Sequence, residues 1–237
     1  MIPHKAFILA AGKGTRMRPL TDTYPKPMVV VAGRSLIDRT FDSLVREDVT
    51  DITVNLHHLG DVLKNHLTAR RDVRIRFSEE SQLLDTGGGI KKALADFGDQ
   101  PFFVISGDSL WTDGPGEPAL RRLAAAWDAE KMDILLLVQP VNTMVLTKGV
   151  GDYDIMPDGQ AVRSLGQTGT YMFTSIRINS PRIFESTPDN AFSYLDLMDR
   201  AQAAGRLYAL VHDGDWHHIS TPQDLAAVNA AFEQNGP

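Results

Sequence analysis

Short apolar runs alternate with segments of helical period through the first 138 residues, and this alternation constrains the fold most strongly. The runs of strand length are residues 6–8, 52–56, 73–77, 102–105 and 133–138. Between the first two, Leu36, Phe41 and Leu44 recur at three- to five-residue spacing, which predicts an amphipathic helix. A repeated strand–helix succession is typical of doubly wound sheets with helices on both faces. We therefore predict an α/β fold with a mostly parallel mixed sheet.

The second half of the chain is less regular and contains a predicted hairpin. Pro157-Asp158-Gly159 is a turn signal, and the residues on either side of it read as two short strands. Further strands are predicted at residues 170–173 and 207–211, and helices at 194–204 and after Thr221. No linker or repeat divides the sequence, so we expect a single domain over residues 1–237 with the hairpin as an insertion.

The composition excludes several classes of protein. The net charge is −6, so a broad basic surface for nucleic acid is not expected. Cysteine is absent, which removes disulfides, thiolate metal sites and cysteine nucleophiles from consideration. No apolar run approaches the length of a membrane span, and the first residues lack a signal-peptide pattern. The sequence alone predicts a cytoplasmic protein without a membrane partner.

A glycine-rich loop, LAAGKGTRMRPL, follows the first predicted strand. Gly12 and Gly14 leave the backbone N–H groups open to a ligand, as phosphate oxygens require. Arg16 and Arg18 follow, and Lys26 lies between two prolines that restrict its backbone. The loop satisfies neither the Walker pattern nor the dinucleotide pattern. The alternative is a solvated basic loop, but the combination favours a phosphate site.

The longer segment LAAGKGTRMRPLTDTYPKP resembles the signature of the sugar-1-phosphate nucleotidyltransferases. This resemblance implies a Rossmann-like three-layer sandwich with a substrate-side hairpin insertion. Its nucleotide-binding half would be residues 1–138 and its sugar-phosphate-binding half residues 139–237. The implied reaction transfers a nucleotidyl group from a nucleoside triphosphate to a sugar 1-phosphate and releases pyrophosphate.

The same resemblance assigns roles to the residues of the glycine-rich loop. The nucleotide would be bound along Leu9, Ala10, Ala11, Gly12, Gly14, Thr15 and Arg16. Arg16 would hold the leaving pyrophosphate, and Lys26 would contact the reacting phosphates, including that of the sugar. Transfer of this kind depends on positioning and on neutralising spread negative charge, which suits a loop with cationic neighbours.

A second glycine segment, LDTGGGI, precedes a predicted helix at residues 90–97. In the family, an equivalent segment contacts the base, and this form is similar to that of uridylyltransferases. The resemblance implies a base contact by Gly88, with Glu80 and Gln82 as neighbouring hydrogen-bonding candidates. The alternative is an ordinary helix N-terminus capped by Asp85 or Thr86.

Asp108 and His218 are the candidate metal ligands. Asp108 follows the buried strand at residues 102–105, and its carboxylate suits Mg²⁺. Relatives carry Trp-x-Asp-[Val/Ile]-Gly-Thr where this chain has Trp216-His217-His218-Ile219-Ser220-Thr221, which places His218 at the second acidic position. His218 could bind Mn²⁺ or another borderline ion, contact phosphate, mark a loss of activity, or serve as a buried structural histidine.

The sugar phosphate would lie against Asp152, Gly169 and Thr170, which resemble family segments lining that pocket. In length, in LDTGGGI and in the hairpin, the chain is similar to family members that use UTP and N-acetylmuramate 1-phosphate, and this resemblance implies those substrates and a role in bacterial peptidoglycan recycling. The alternatives are a mannose-1-phosphate guanylyltransferase, a phosphocholine cytidylyltransferase and a catalytically silent nucleotide-binding regulator. The sequence leaves the oligomeric state open.

Overall fold

The computed structural model describes residues 3–235, which form thirteen strands and six α-helices. The strands are β1 (Lys5–Leu9), β2 (Val30–Val31), β3 (Arg34–Ser35), β4 (Asp51–Leu56), β5 (Arg74–Glu79), β6 (Phe102–Ser106), β7 (Leu110–Thr112), β8 (Ile134–Pro140), β9 (Tyr153–Ile155), β10 (Ala161–Arg163), β11 (Tyr171–Asn179), β12 (Leu207–Val211) and β13 (Asp215–His217). The helices are α1 (Leu36–Arg46), α2 (Gly60–Leu67), α3 (Asp85–Lys92), α4 (Ala119–Ala126), α5 (Tyr194–Ala203) and α6 (Pro222–Asn235).

The main sheet has the strand order β5-β4-β1-β6-β11-β8-β12. β11 runs antiparallel to both of its neighbours, and the other strands along this path share one direction. The hairpin β9–β10 joins the amino-terminal end of β11 through the pairing of Tyr153 with Tyr171. The predicted α/β fold with a mostly parallel mixed sheet is therefore confirmed.

The two faces of the sheet are covered by different helices. Helices α1, α2 and α4 bury residues such as Phe41, Leu63 and Leu123 against one face. Helices α3 and α5 bury Ile90 and Leu197 against the other, which produces the three-layer arrangement. Because the strands between these layers are covered on both sides, most of their residues are apolar, as in the fully buried β6 run Phe102 to Ile105.

The rings of Phe97 and Phe102 stack at a centroid distance of 4.0 Å in the second of these layers, and both side chains are fully buried. We expect Phe102→Ala to lower the free energy of unfolding by about 3–5 kcal/mol, because the neighbours cannot fill the cavity that remains. Urea denaturation measures this loss. Phe102→Leu, which retains most of the volume, should cost less than about 1.5 kcal/mol. Equal losses for the two variants would contradict the packing argument.

Two predicted elements differ from the structure. Helix α3 begins at Asp85, so Gly87, Gly88 and Gly89 lie inside it and not ahead of it. Strand β11 continues to Asn179, well beyond the predicted end at residue 173, and it contains an irregularity between Phe173 and Ile176. Thr174 and Ser175 interrupt the apolar pattern, so hydrophobic periodicity alone does not predict that the strand continues beyond them. Within residues 3–235, no helix combines the length and the apolar character needed to cross a membrane.

Candidate active site

A cavity of 720 Å³ opens where β1, β4 and β6 end, at the carboxyl edge of the sheet. One wall comes from the glycine-rich loop and from Asp108, just beyond β6. The opposite wall comes from the hairpin, from β11 and from α5. The volume lies in the range of small-molecule sites, and this edge is where open α/β sheets bind ligands.

The conformation and packing of the loop require glycine at position 14 but not at position 12. Gly14 has φ +59°, and a Cβ there would lie 3.0 Å from Thr21 Cγ2, so the turn itself requires glycine. A Cβ on Gly12 would meet nothing within 4 Å. Gly12 lines the cavity, and without a side chain it leaves the loop backbone open there.

A buried polar network holds the start of this loop. Asn55, at the end of β4, accepts a hydrogen bond from the Ala10 N–H through Oδ1 at 2.7 Å. Its Nδ2 donates to Glu80 Oε1 at 2.8 Å, and Glu80 Oε2 accepts from the Leu84 N–H at 3.0 Å. Both Glu80 oxygens are therefore engaged within the chain, where they connect the end of β4 with the segment before α3.

Lys26 and Asp108 form an ion pair at the rim of the cavity. The Lys26 ammonium donates to Asp108 Oδ2, and Ser106 Oγ donates to Asp108 Oδ1 at 2.6 Å. Burial alone would raise the pKa of Asp108, but the charge of Lys26 and the hydrogen bonds from Lys26 and Ser106 hold it below its ordinary value. The carboxylate is therefore ionised at neutral pH, and a cation and an anion line the same cavity.

His218 lies just after β13, outside the residues that line the cavity. Its backbone N–H donates to Thr147 Oγ1 at 3.0 Å, and its ring packs 5.6 Å from the Trp216 ring, centroid to centroid. Burial lowers the pKa of His218, and the charges of Lys26 and Arg16 lower it further against an opposing effect of Asp108. The imidazole is neutral at pH 7, so one ring nitrogen has a lone pair.

The residues present fit a divalent ion that is held largely by substrate phosphates. Within the described part of the chain, no group of three or more His, Cys, Asp or Glu side chains could hold a metal ion. Mg²⁺ is usually bound through one or two carboxylates together with phosphates and water. Asp108 supplies such a carboxylate at the cavity rim, and His218 is close enough for the charge of Asp108 to affect its pKa.

The structure brings together many of the sequence-predicted site residues. Those lining the cavity are Leu9, Ala10, Ala11, Gly12, Gly14, Lys26, Asp108 and Asp152. Thr15 and Arg16 are exposed on the same loop, just beyond the cavity lining. The Asp152 carboxylate accepts from the Phe173 N–H at 3.0 Å, and burial raises its pKa.

Besides Thr15, Arg16 and His218, four further predicted residues do not line this cavity. Gln82 and Gly88 line a separate pocket of 260 Å³. The Gly88 N–H donates to the Phe192 carbonyl at 3.2 Å, so it is not available to a base in this structure. Gly169 and Thr170 close the loop after the hairpin, where the Gly169 N–H donates to Gly151 O and Thr170 donates to Asp154 Oδ1.

Comparison with known proteins agrees with this geometry. The profile of the family described as "Nucleotidyl transferase" matches residues 5–146. The chain is 40% identical to the N-acetylmuramate alpha-1-phosphate uridylyltransferase of Caulobacter vibrioides, over 98% of both chains. The chain belongs to the nucleotidyl transferase family. The resemblance to sugar-1-phosphate nucleotidyltransferases is thereby confirmed.

Two further similarities extend over nearly the whole chain. The N-acetylmuramate alpha-1-phosphate uridylyltransferase of Neisseria meningitidis is 32% identical, over 95% of this chain and 97% of that protein. UDP-glucose pyrophosphorylase from Acinetobacter baumanii superposes with a TM-score of 0.81 at 20% identity, over 100% of this chain and 95% of that chain. At 20% identity, this superposition shows that the two proteins share a fold.

Sequence reasoning missed Asn55 and Arg177, both of which line the cavity. Each is a polar residue inside an otherwise apolar strand, Asn55 in DITVNL and Arg177 in YMFTSIRIN. A polar residue within an apolar strand is the sequence feature that could have identified both, because a polar side chain in a buried strand needs a partner. Asp85 and Thr86 also line the cavity, on the first turn of α3.

We expect Asn55→Ala to weaken both folding and nucleotide binding. The buried Ala10 N–H and a Glu80 oxygen lose their partner, which should lower the free energy of unfolding by about 1–3 kcal/mol. The loosened loop should raise the KM for the nucleotide roughly tenfold, a loss of about 1.4 kcal/mol. Urea denaturation and steady-state kinetics measure the two effects. Asn65→Ala, at an exposed position of α2, is the control and should change neither.

Proposed function

We propose that this chain transfers a uridylyl group from UTP to N-acetylmuramate 1-phosphate, giving the UDP-sugar and pyrophosphate. The observation that carries the proposal is the Lys26–Asp108 pair facing the open glycine loop within one cavity. The choice of UTP and of the sugar is supported by the two uridylyltransferase relatives that match the chain over nearly its full length.

In the proposed reaction, an acceptor phosphate oxygen attacks the α-phosphorus of UTP in line with the departing pyrophosphate. The backbone from Leu9 to Gly14 orients the triphosphate, while Lys26 offsets the charge of the two phosphates that approach each other. Arg16, exposed at the end of the loop, holds the leaving pyrophosphate. A divalent ion held by Asp108, with His218 nearby, would neutralise developing charge on the phosphate oxygens.

We further propose that residues 1–237 act as one domain, with residues 1–138 serving the nucleotide and residues 139–237 the sugar phosphate. Asp152 lines the cavity from the second half. Gly169 and Thr170 support the sugar-phosphate pocket by closing the loop beside Asp154. Gln82 and Gly88 are the proposed base contacts, and they lie in the same segment as Leu83, Asp85 and Thr86, which line the cavity.

The test is a panel of nucleoside triphosphates crossed with acceptor phosphates, read by pyrophosphate release with Mg²⁺ and separately with Mn²⁺. Turnover of UTP with N-acetylmuramate 1-phosphate well above all other pairs supports the proposal. Preference for GTP with mannose 1-phosphate, or for CTP with phosphocholine, would replace it by the corresponding alternative. Nucleotide binding without turnover under either ion would identify a silent regulator, the alternative that His218 raises.

The residue at position 218 should affect the choice of metal. We expect His218→Asp to raise the ratio of Mg²⁺- to Mn²⁺-supported kcat roughly tenfold, because Mg²⁺ prefers oxygen ligands to imidazole. Kinetics across a titration of each ion measure the ratio. His4→Asp, an equal change at an exposed position, is the control. An unchanged ratio in the His218 variant would show that this side chain does not approach the ion.

A further inference from the structure

Arg177 is a buried cation on the wall of the cavity. It lies on β11 opposite Val104 of β6 and Leu136 of β8, and its exposed fraction is 2%. Its guanidinium lies 3.7 Å from the centre of the Tyr194 ring and 5.7 Å from that of Phe173. Stacking on aromatic rings fixes the plane of the guanidinium, and a side-chain hydrogen bond with Tyr194 stabilises its charged form, but neither contact supplies an anion.

Two of the donors of Arg177 lack an acceptor among residues 3–235. Nε and Nη2 are buried with no hydrogen-bond partner, and among residues 3–235 no carboxylate lies within ion-pair distance of this side chain. Burial lowers the pKa of Arg177, yet an arginine keeps its proton in proteins. A buried charge without a partner costs several kcal/mol, so its presence calls for a ligand that supplies the missing anion.

The other cations on the cavity wall are already paired. Lys26 donates to Asp108, and Arg163 contacts both oxygens of Asp199 at 2.8 and 3.0 Å. Of the described residues that line the cavity, Arg177 is the cation whose partner is missing. It lies among residues of the second half of the chain, Tyr153, Phe173 and Tyr194, and not on the phosphate loop.

We propose that Arg177 binds a carboxylate carried by the sugar of the acceptor and thereby determines acceptor specificity. This inference rests on the proposed function. N-Acetylmuramate differs from N-acetylglucosamine by a lactyl ether that ends in a carboxylate, so it presents a second anion remote from the 1-phosphate. A planar guanidinium held against Tyr194 can meet such a group with two parallel hydrogen bonds. Neutral sugars such as mannose leave the charge unpaired and are disfavoured for that reason.

The experiment compares Arg177→Met with the wild type, using UTP with N-acetylmuramate 1-phosphate and with N-acetylglucosamine 1-phosphate. The measured quantity is the ratio of kcat/KM for the two acceptors. We expect the variant to lower that ratio about 10²-fold, mainly through the KM for N-acetylmuramate 1-phosphate, because a buried charge-assisted contact is lost. Arg177→Lys, which retains the charge without the planar fork, should lie between the two.

A second measurement does not depend on the folding of a variant. Calorimetry on the wild-type protein compares N-acetylmuramate 1-phosphate with its lactyl amide, which is neutral at that position. We expect binding of the amide to be about 10²-fold weaker. Equal binding of the two ligands, or an equal loss on both acceptors in Arg177→Met, overturns the assignment and leaves uridylyl transfer standing. Failure of the wild type to use either acceptor overturns both proposals.

Discussion

Asp108→Asn should lower kcat for pyrophosphate release about 10³-fold. The amide keeps the shape of the side chain and can still accept from Ser106, but it removes the charge that faces Lys26 and that would bind a divalent ion. Catalysis of nucleotidyl transfer rests on stabilising negative charge on the phosphates, and loss of one such element typically costs several kcal/mol. Steady-state kinetics at saturating UTP and acceptor measure the loss.

The matched control is Asp99→Asn, the same change at an exposed turn with no assigned partner. It should leave kcat within about twofold of the wild type, as surface substitutions rarely exceed 0.5 kcal/mol. Thermal unfolding of both variants separates lost chemistry from lost structure. A well-folded Asp108→Asn protein with kcat within tenfold of the wild type would show that the ion is held elsewhere.

Lys26→Met should lower kcat/KM for the acceptor phosphate between about 10²- and 10³-fold. Lys26 is only 15% exposed, and its ammonium is held at the cavity rim by Asp108 and by the restricted backbone between two prolines. Methionine retains much of the side-chain volume but cannot offset the charge of two approaching phosphates. The loss is therefore electrostatic and resembles that of removing a preorganised donor.

Lys64→Met is the control for this change, because Lys64 also pairs with an acid but at an exposed site. Exposed ion pairs contribute about 0–1 kcal/mol, so we expect no change in kinetics and little change in stability. If the two lysine variants lost activity equally, the effect would come from net charge and not from the position of Lys26. Added salt, which screens exposed charges, would then reproduce it.

The local order of the elements could be predicted from the sequence wherever apolar periodicity was uninterrupted. The sequence predicts β1, β6 and β8 correctly because these buried strands contain continuous apolar runs, and it predicts β4 because apolar residues alternate there with Thr53 and Asn55. The sequence predicts a later start for α3 than the structure has, because three glycines disfavour a helix. In the structure, Phe192 and Glu80 pack so close to Gly87 and Gly89 that no side chain would fit at either position. Tertiary contact there overrides intrinsic propensity.

The phosphate end of the candidate site could also be predicted, since its residues follow one another closely in the sequence. The loop from Leu9 to Gly14 and the Lys26 turn are separated by few residues, and Asp108 follows an obvious strand. Residues at the ends of parallel strands meet at one edge of the sheet, so local patterns suffice to place them together.

The sequence by itself determined the α/β fold, the family and the glycine-rich loop that lines the cavity, because each depends on patterns within short segments. Only the tertiary structure decided that Asn55 and Glu80 brace the loop, that Gln82 and Gly88 line a separate pocket, and that Arg177 has no anionic partner among residues 3–235. Each of these features depends on contacts between side chains that are far apart in the sequence but close together in the interior of the fold. Burial determines whether a polar atom must find its partner in the protein or in a ligand.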